Sequence, residues 1–165
     1  MNYQKFLNPD IAAVPPSGIR RFFDMASSMQ DVISLGVGEP DFITPYHIRN
    51  AAINSIIDGE TQYTPNRGLL PLRKEISRYL QDRYATPYDP ETEILVTVGA
   101  SESIDVALRA IIAPGDEVLV PQPSYVSYAP GVVFAGGTPV PVRTDASNGF
   151  ALTLEAVLEA VTEKT

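Results

Sequence analysis

The chain has 165 residues, 44% apolar and 19% charged, the balance of a folded domain and not of a disordered segment. Twelve basic residues stand against 20 acidic ones, a net charge of −8, which argues against nucleic acid as a main partner. With no cysteine and one histidine, His47, the sequence offers no disulfide framework, no thiolate or histidine metal cluster and no serine–histidine–aspartate triad.

No apolar run approaches the ~18 residues that a membrane span needs. The start, M-N-Y-Q-K-F-L-N-P-D, lacks the apolar core of a secretory signal, so a cytoplasmic location is expected and no membrane partner. Residues 1–15 carry prolines without periodicity and are expected to form an arm. S-G-I-R-R-F-F-D-M-A-S-S-M predicts a short helix with Ile19, Phe22, Phe23 and Met25–Ala26 on one side. The apolar run V-I-S-L (32–35) then enters a glycine-rich turn, G-V-G-E-P-D-F.

T-P-Y-H-I-R-N-A-A-I-N-S-I-I-D-G predicts a helix capped by Thr44, with Pro45 at its first position and Gly59 at its close. Ile48, Ala52 and Ile56 recur along it at four-residue spacing. After the polar loop E-T-Q-Y-T-P-N-R-G, the stretch L-P-L-R-K-E-I-S-R-Y-L-Q-D-R-Y predicts an amphipathic helix with Leu72, Ile76, Tyr79 and Leu80 inward.

From residue 94 the pattern alternates. Ile94–Val98 reads as a strand and Ser101–Ile112 as a helix with Ile104, Ala107, Leu108 and Ile111 inward. Glu117–Val120 reads as a strand, Tyr125–Ala135 as a helix, Thr138–Val142 as a strand and Leu152–Val161 as a helix. Alternating strands and helices, with nearly all-apolar strands, imply a mostly parallel sheet covered on both faces.

V-T-V-G-A-S-E-S-I-D (96–105) puts three small residues where a strand hands over to a helix. A tight turn accounts for them. So does an anion site, because the first N–H groups of a helix lack intrahelical partners and carry the positive end of its dipole. Gly99, Ala100 and Ser101 suit a phosphate on that second reading. P-Q-P-S-Y-V-S-Y (121–128) then places Tyr125 at the C-terminal end of the next strand, the edge where α/β sheets bind ligands. A phosphate cradle beside an aromatic face describes a phosphorylated aromatic cofactor.

Four segments in this order, S-L-G-V-G-E-P-D-F-I-T-P, Y-T-P-N-R-G-L-L-P-L-R, T-V-G-A-S-E-S-I and P-G-D-E-V-L-V-P-Q-P-S-Y-V-S-Y, resemble the class I/II aminotransferases, most closely their aspartate/aromatic branch. The resemblance runs from about Ser17 to Thr165. It implies pyridoxal 5'-phosphate-dependent transferase fold type I, a three-layer α/β/α architecture with a mostly parallel sheet, incomplete in this chain. Residues 1–30 are expected as the arm and a small-domain segment, and 31–165 as the first half of the cofactor-binding large domain.

It further implies that Ala100 and Ser101, with Gly99 making room, hold the cofactor phosphate, and that Tyr125 stacks on its ring. Tyr63 would reach the phosphate of a neighbouring subunit in a homodimer. Gly38 would offer its N–H to the substrate carboxylate, and Ile19 would cover the substrate side chain. Arg67 and Arg73 remain unassigned between surface and interface roles.

The family's chemistry moves an amino group from an amino acid to a 2-oxo acid and needs a Schiff-base lysine. Lys5, Lys74 and Lys164 do not match its place, so that lysine is expected beyond Thr165 and the chain alone is expected to be inactive. Rival readings are a carbon–sulfur lyase or aminocyclopropane-carboxylate-synthase-like enzyme, and a non-catalytic sensing or structural domain.

Overall fold

A computed structural model describes residues 3–31, 33, 38 and 40–165. The chain forms two compact units, Met1–Ser27 with Gly99–Thr165, and Ser28–Val98. Val32, Ser34 and Leu35 of the apolar run V-I-S-L, and Gly36, Val37 and Glu39 of the glycine-rich turn after it, lie outside the described residues.

In the first unit, a 3₁₀ turn (Tyr3–Phe6) and α1 (Pro9–Ala13) give the N-terminal arm local structure that its sequence does not suggest. The Asn8 side chain caps α1 by accepting the Asp10 N–H at 2.9 Å, and Pro9 opens the helix, where its missing N–H costs nothing. α2 (Ile19–Ser27) follows. After α5 (Gly99–Ile111) come β1 (Glu117–Gln122), α6 (Tyr128–Phe134), β2 (Thr138–Arg143), a 3₁₀ turn at Ala146–Asn148 and α7 (Leu154–Ala160). β1 and β2 pair in parallel from Glu117↔Thr138 to Gln122↔Arg143, with α6 in the crossover.

The prolines of β2 have a positional logic. Thr138 and Thr144 direct their N–H groups to the carbonyls of Asp116 and Gln122. Strand alternation therefore turns positions 139 and 141 away from β1, and both are proline. The outer edge of β2 thus lacks two donors and is blunted against a further strand.

The core of this unit is small: Val120, Val132 and Val142 are buried. Gly137 lets α6 close on it, because a Cβ there would lie 2.8 Å from Ile112 Cγ2 and 3.1 Å from Val132 Cγ1. α6 begins at Tyr128 and not at the expected Tyr125, because the Tyr125 carbonyl is taken by a turn to the Tyr128 N–H at 3.2 Å.

The second unit holds α3 (Tyr46–Ile57) and α4 (Leu70–Tyr84). Pro45, not Thr44, is the N-cap of α3: the Pro45 carbonyl accepts from Ile48 and Arg49, and no side chain caps the helix. Its C-terminal end is as expected. Gly59, at φ +79°, donates to Ile56, and Glu60 donates to Ser55, a Schellman closure.

α4 is rotated from its expected facing. Leu72 and Tyr79 are exposed, and the one buried side chain is Arg73, with Ile76, Ser77 and Leu80 half-buried on its side. Arg73 Nε donates to the Gly68 carbonyl at 3.2 Å and its Nη1 to Pro90 and Glu91 at 2.5 and 3.2 Å. Arg67 Nη1 adds bonds to the Glu91 and Thr92 carbonyls at 2.8 and 3.2 Å. Both arginines, unassigned from sequence, bind the turn at 90–92.

Ile94–Val98 pairs with no strand among the described residues. Ile94 is buried and the Val96 N–H donates to the Arg67 carbonyl at 3.1 Å, but no described neighbour supplies a ladder. The expected sheet covered on both faces is therefore two-stranded among the described residues. Two separate compact units sharing the 17.9 kDa would together expose about 10,000 Å², whereas the chain exposes 13,867 Å². The excess includes apolar faces: Ile48, Ile53, Ile56 and Ile57 of α3, Ile111 of α5, and Leu154 and Leu158 of α7. In α5 the half-buried stripe is Ile104, Asp105 and Leu108, while Ala107 and Ile111, expected inward, face out.

Candidate functional site

Gly99 is the first residue of α5 and has φ +76°, a left-handed conformation that glycine adopts without steric cost. A Cβ at Gly99 would meet no atom within 4 Å, so the space above the helix start is open. Ala100 and Ser101 follow, both exposed. Residues of this first turn present N–H groups that no preceding helical turn can satisfy.

Tyr125 reaches the same region from β1. The strand ends at Gln122, the Gln122–Pro123 bond is cis, and Ser124 leads into Tyr125. The ring of Tyr128 meets that of Tyr125 edge-on, with centroids 5.5 Å apart and planes at 75°, an arrangement favoured by the aromatic quadrupole. Tyr125 remains half-exposed. A cleft of about 180 Å³ is lined by Ser101, Ile104, Asp105, Tyr125 and Tyr128 among others. It brings together the helix start and the tyrosine that the sequence singled out.

Asp105 in this cleft is already engaged. Its carboxylate accepts from Arg109 Nε at 2.9 Å, and this hydrogen bond, followed by the charge attraction, raises the Arg109 pKa. Arg109 Nη1 also reaches the Phe134 carbonyl at 3.3 Å, tying α5 to α6. Tyr128, which lines this cleft, was not singled out by the sequence reading. Its signal was the spacing of three from Tyr125.

A second, larger cleft of about 550 Å³ lies at the C-terminal ends of β1 and β2. Gln122, Ser124, Tyr125, Arg143 and Thr144 line it. Tyr125 thus borders both clefts.

The other candidates line neither of these two clefts. Ile19 opens α2, its N–H donating to Ser17 Oγ at 3.3 Å, and it lines neither cleft. Its neighbours Ser17 and Gly18 line an arm-side groove with Val126 and Pro130. Gly38 is exposed, and a Cβ there would meet nothing within 4 Å. Tyr63, in the second unit, is fully exposed and lines a polar cleft with Asn54, Asp58, Glu60 and Gln62.

None of the three lysines is among the residues that line either cleft. Lys5 Nζ lies 5.0 Å from the Phe6 ring centroid, and Lys74 is exposed on α4. The Lys164 carbonyl accepts the N–H of Glu117, at the opposite end of β1 from Tyr125.

The family model "Aminotransferase class I and II" matches residues 30–165. The chain belongs to the class I and II aminotransferases. A Bacillus subtilis protein named as an aminotransferase is 52% identical over 160 residues, 97% of this chain and 42% of that protein. The aspartate aminotransferase of Pyrococcus abyssi is 48% identical over 152 residues, 92% of this chain and 39% of its own length. The crystal structure of Thermotoga maritima aspartate aminotransferase superposes with a TM-score of 0.89 at 36% identity, covering 96% of this chain and 43% of that one.

The chain therefore has part of the pyridoxal-phosphate-dependent transferase fold type I, and it spans about two-fifths of the length of these relatives. The family is pyridoxal-phosphate-dependent. Among the described residues no helix is long and apolar enough to cross a membrane, and no group of acidic or histidine side chains could hold a metal ion.

Proposed function

We propose that the protein to which this chain belongs transfers an amino group from an amino acid to a 2-oxo acid, using pyridoxal 5'-phosphate. The observation that carries the reading is the shared cleft of Ser101 and Tyr125, in a member of this family. The residues present fit the cofactor: an open helix start with small residues for a phosphate, and an adjacent half-exposed aromatic ring. When bound, pyridoxal phosphate supplies an electron sink for bonds at the substrate Cα.

The chain's own groups then divide the work. The N–H groups of Ala100 and Ser101 and the Ser101 hydroxyl hold the phosphate, with Gly99 setting the backbone angle. Tyr125 orients the ring by its face. Gly38 offers its N–H to the substrate carboxylate, and Ile19 covers the substrate side chain. Tyr63 reaches the phosphate of the other subunit in a homodimer.

The amine that reacts with the cofactor comes from sequence outside residues 1–165. Residues 1–30 serve as the arm and small-domain segment, and 31–165 as the first half of the large domain. The protein works in the cytoplasm, in amino-acid biosynthesis.

The test is a titration of the isotope-labelled chain with pyridoxal phosphate, read on backbone amide signals. Gly99, Ala100, Ser101 and Tyr125 are expected to shift. Shifts confined to other residues overturn the site. With amino donor and 2-oxo acid added, no turnover is expected, and turnover by these 165 residues alone overturns the assignment of the amine elsewhere. The relatives' aminotransferase names favour transamination over a lyase reaction, and ammonia release by the full-length protein would reverse that choice.

A further inference from the structure

Three clefts remain besides the one that Ser101 and Tyr125 share. The arm-side groove at Ser17–Gly18 is largely apolar and nothing selects its occupant. The polar cleft beside Tyr63 offers acidic side chains without an unpartnered buried group. The larger cleft at the ends of β1 and β2 is different, because among the described residues Arg143 is the one charged residue lining it, in a chain of net charge −8.

Arg143 springs from a fixed backbone. It is the last residue of β2 and sits in register with Gln122, the last residue of β1. The next residue, Thr144, donates both its N–H, at 2.8 Å, and its hydroxyl, at 2.9 Å, to the Gln122 carbonyl. Two donors on one acceptor tie the strand ends together at the base of the Arg143 side chain. The acidic residue nearest in sequence, Asp145, is turned elsewhere. Its carboxylate accepts the Ser147 N–H at 2.7 Å, and bonds from Ser147 hold its pKa below the usual carboxylate range. Among the described residues Arg143 makes no ion pair.

We propose that this cleft is a subsite for the carboxylate of a small organic acid, with Arg143 as its charged contact. A guanidinium presents a planar fork of donors that matches a carboxylate bidentately. The Gln122 amide and Ser124 hydroxyl add neutral donors on the same rim. The place is the C-terminal edge of a parallel strand pair, where α/β folds receive ligands. Tyr125 borders this cleft as well as the one with Ser101, so an acid held by Arg143 lies beside the aromatic ring. Its relevance to the reaction rests on the reading of Tyr125 as a cofactor platform. Carboxylate binding itself does not.

The experiment titrates the isotope-labelled chain with succinate, acetate and inorganic phosphate in parallel. Succinate is expected to shift the amide signals of Gln122, Ser124, Arg143 and Thr144. Arg143→Gln should weaken that binding about tenfold, the loss of one charged contact. Arg143→Lys, which keeps the charge but loses the fork, should bind between the two. Unmoved signals for Val140 and Val142 in both variants verify that β2 is intact.

The subsite is overturned if succinate shifts none of the four residues, or binds Arg143→Gln undiminished. It is also overturned if inorganic phosphate moves the four as strongly as succinate does. The signals of Gly99–Ser101 under pyridoxal phosphate report separately on the cofactor reading, so the two can fail independently.

Discussion

The backbone N–H of Glu117 donates to the carbonyl of Lys164 at 2.8 Å, and the Thr162 hydroxyl reaches Glu117 Oε2 at 2.5 Å. Glu117 begins β1 and Tyr125 follows its other end, so the lysine and the aromatic platform are separated by the whole strand, about 20 Å for six residues. Lys164 is therefore anchored away from the place where an amine would meet a cofactor resting on Tyr125. We expect Lys164→Ala to leave pyridoxal-phosphate binding unchanged. Borohydride treatment of the mixture, followed by peptide mapping, should give no stoichiometric label on Lys164, Lys5 or Lys74. A single dominant label on Lys164 would contradict this placement.

Gly99 and Ser101 test the helix start from two directions. At φ +76° a side chain at position 99 is strained whatever the space around it, and Gly99→Ala should cost about 1–2 kcal/mol of stability. Ser101→Ala removes one hydroxyl from an exposed first turn. It should leave the thermal midpoint unchanged and weaken pyridoxal-phosphate binding by about fivefold, the scale of one neutral hydrogen bond. Equal loss of stability in both variants would show that Ser101 is structural.

Much of this was legible. β1, β2 and α7 follow from apolar runs broken by turn residues, and Gly59 ends α3 as its position suggests, because these signals are local. Ile94–Val98 was not, because an apolar run shows only that a segment favours extension, while a strand needs a partner with donors in register, and none of the other described strands supplies one. Arg73 was not, because the carbonyls that bury it lie 17 and 18 residues downstream. Ala107 and Ile111 follow helical spacing correctly, but spacing cannot say which arc of a mostly apolar helix finds a neighbour. Arg143 ends an apolar run and reads as a strand terminus. Only the register with Gln122 places it in a cleft.

Arg73 carries the second unit's turn. Arg73 is 8% exposed, and its guanidinium bonds to three carbonyls, with no carboxylate bonded to it among the described residues. Removing a buried cation's partners or the cation itself leaves polar groups unsatisfied, so Arg73→Met should cost about 2–4 kcal/mol. Arg73→Lys should not restore it, because an ammonium cannot span three carbonyls with a planar fork. Lys74→Ala, one residue on and exposed, should stay within about 0.5 kcal/mol. Chemical denaturation separates the three.

Two glycines of that unit share a left-handed backbone but differ in surroundings. Gly59 has φ +79° and open space, whereas Gly68 has φ +88° and a Cβ there would lie 2.7 Å from Val96 Cβ. Gly59→Ala should cost about 1 kcal/mol from backbone strain alone. Gly68→Ala adds an overpacking cost of about 1–3 kcal/mol, since a β-branched Cβ cannot swing aside. Equal midpoints in urea for the two variants would refute the close approach of Gly68 and Val96.

Acid should act through two aspartates. The Asp89 carboxylate accepts from the Thr92 hydroxyl at 2.6 Å and from the Glu91 N–H at 2.9 Å, and these bonds, the Thr92 one first, lower its pKa. Asp145 is lowered likewise by Ser147. A carboxyl whose folded pKa is depressed binds protons more readily in the unfolded chain. Its contribution is therefore complete above the unfolded value of about 3.9 and is lost as pH falls through the lower folded value. Stability should be flat in these two groups from neutral pH down to about 5 and decline below about 4. Asp89→Asn and Asp145→Asn should each shallow that decline without changing its position. Denaturation midpoints between pH 2 and pH 7, read for the wild type and both variants, check the sign. A loss of stability as pH rises through this range would reverse the assignment of both carboxylates as ionised acceptors.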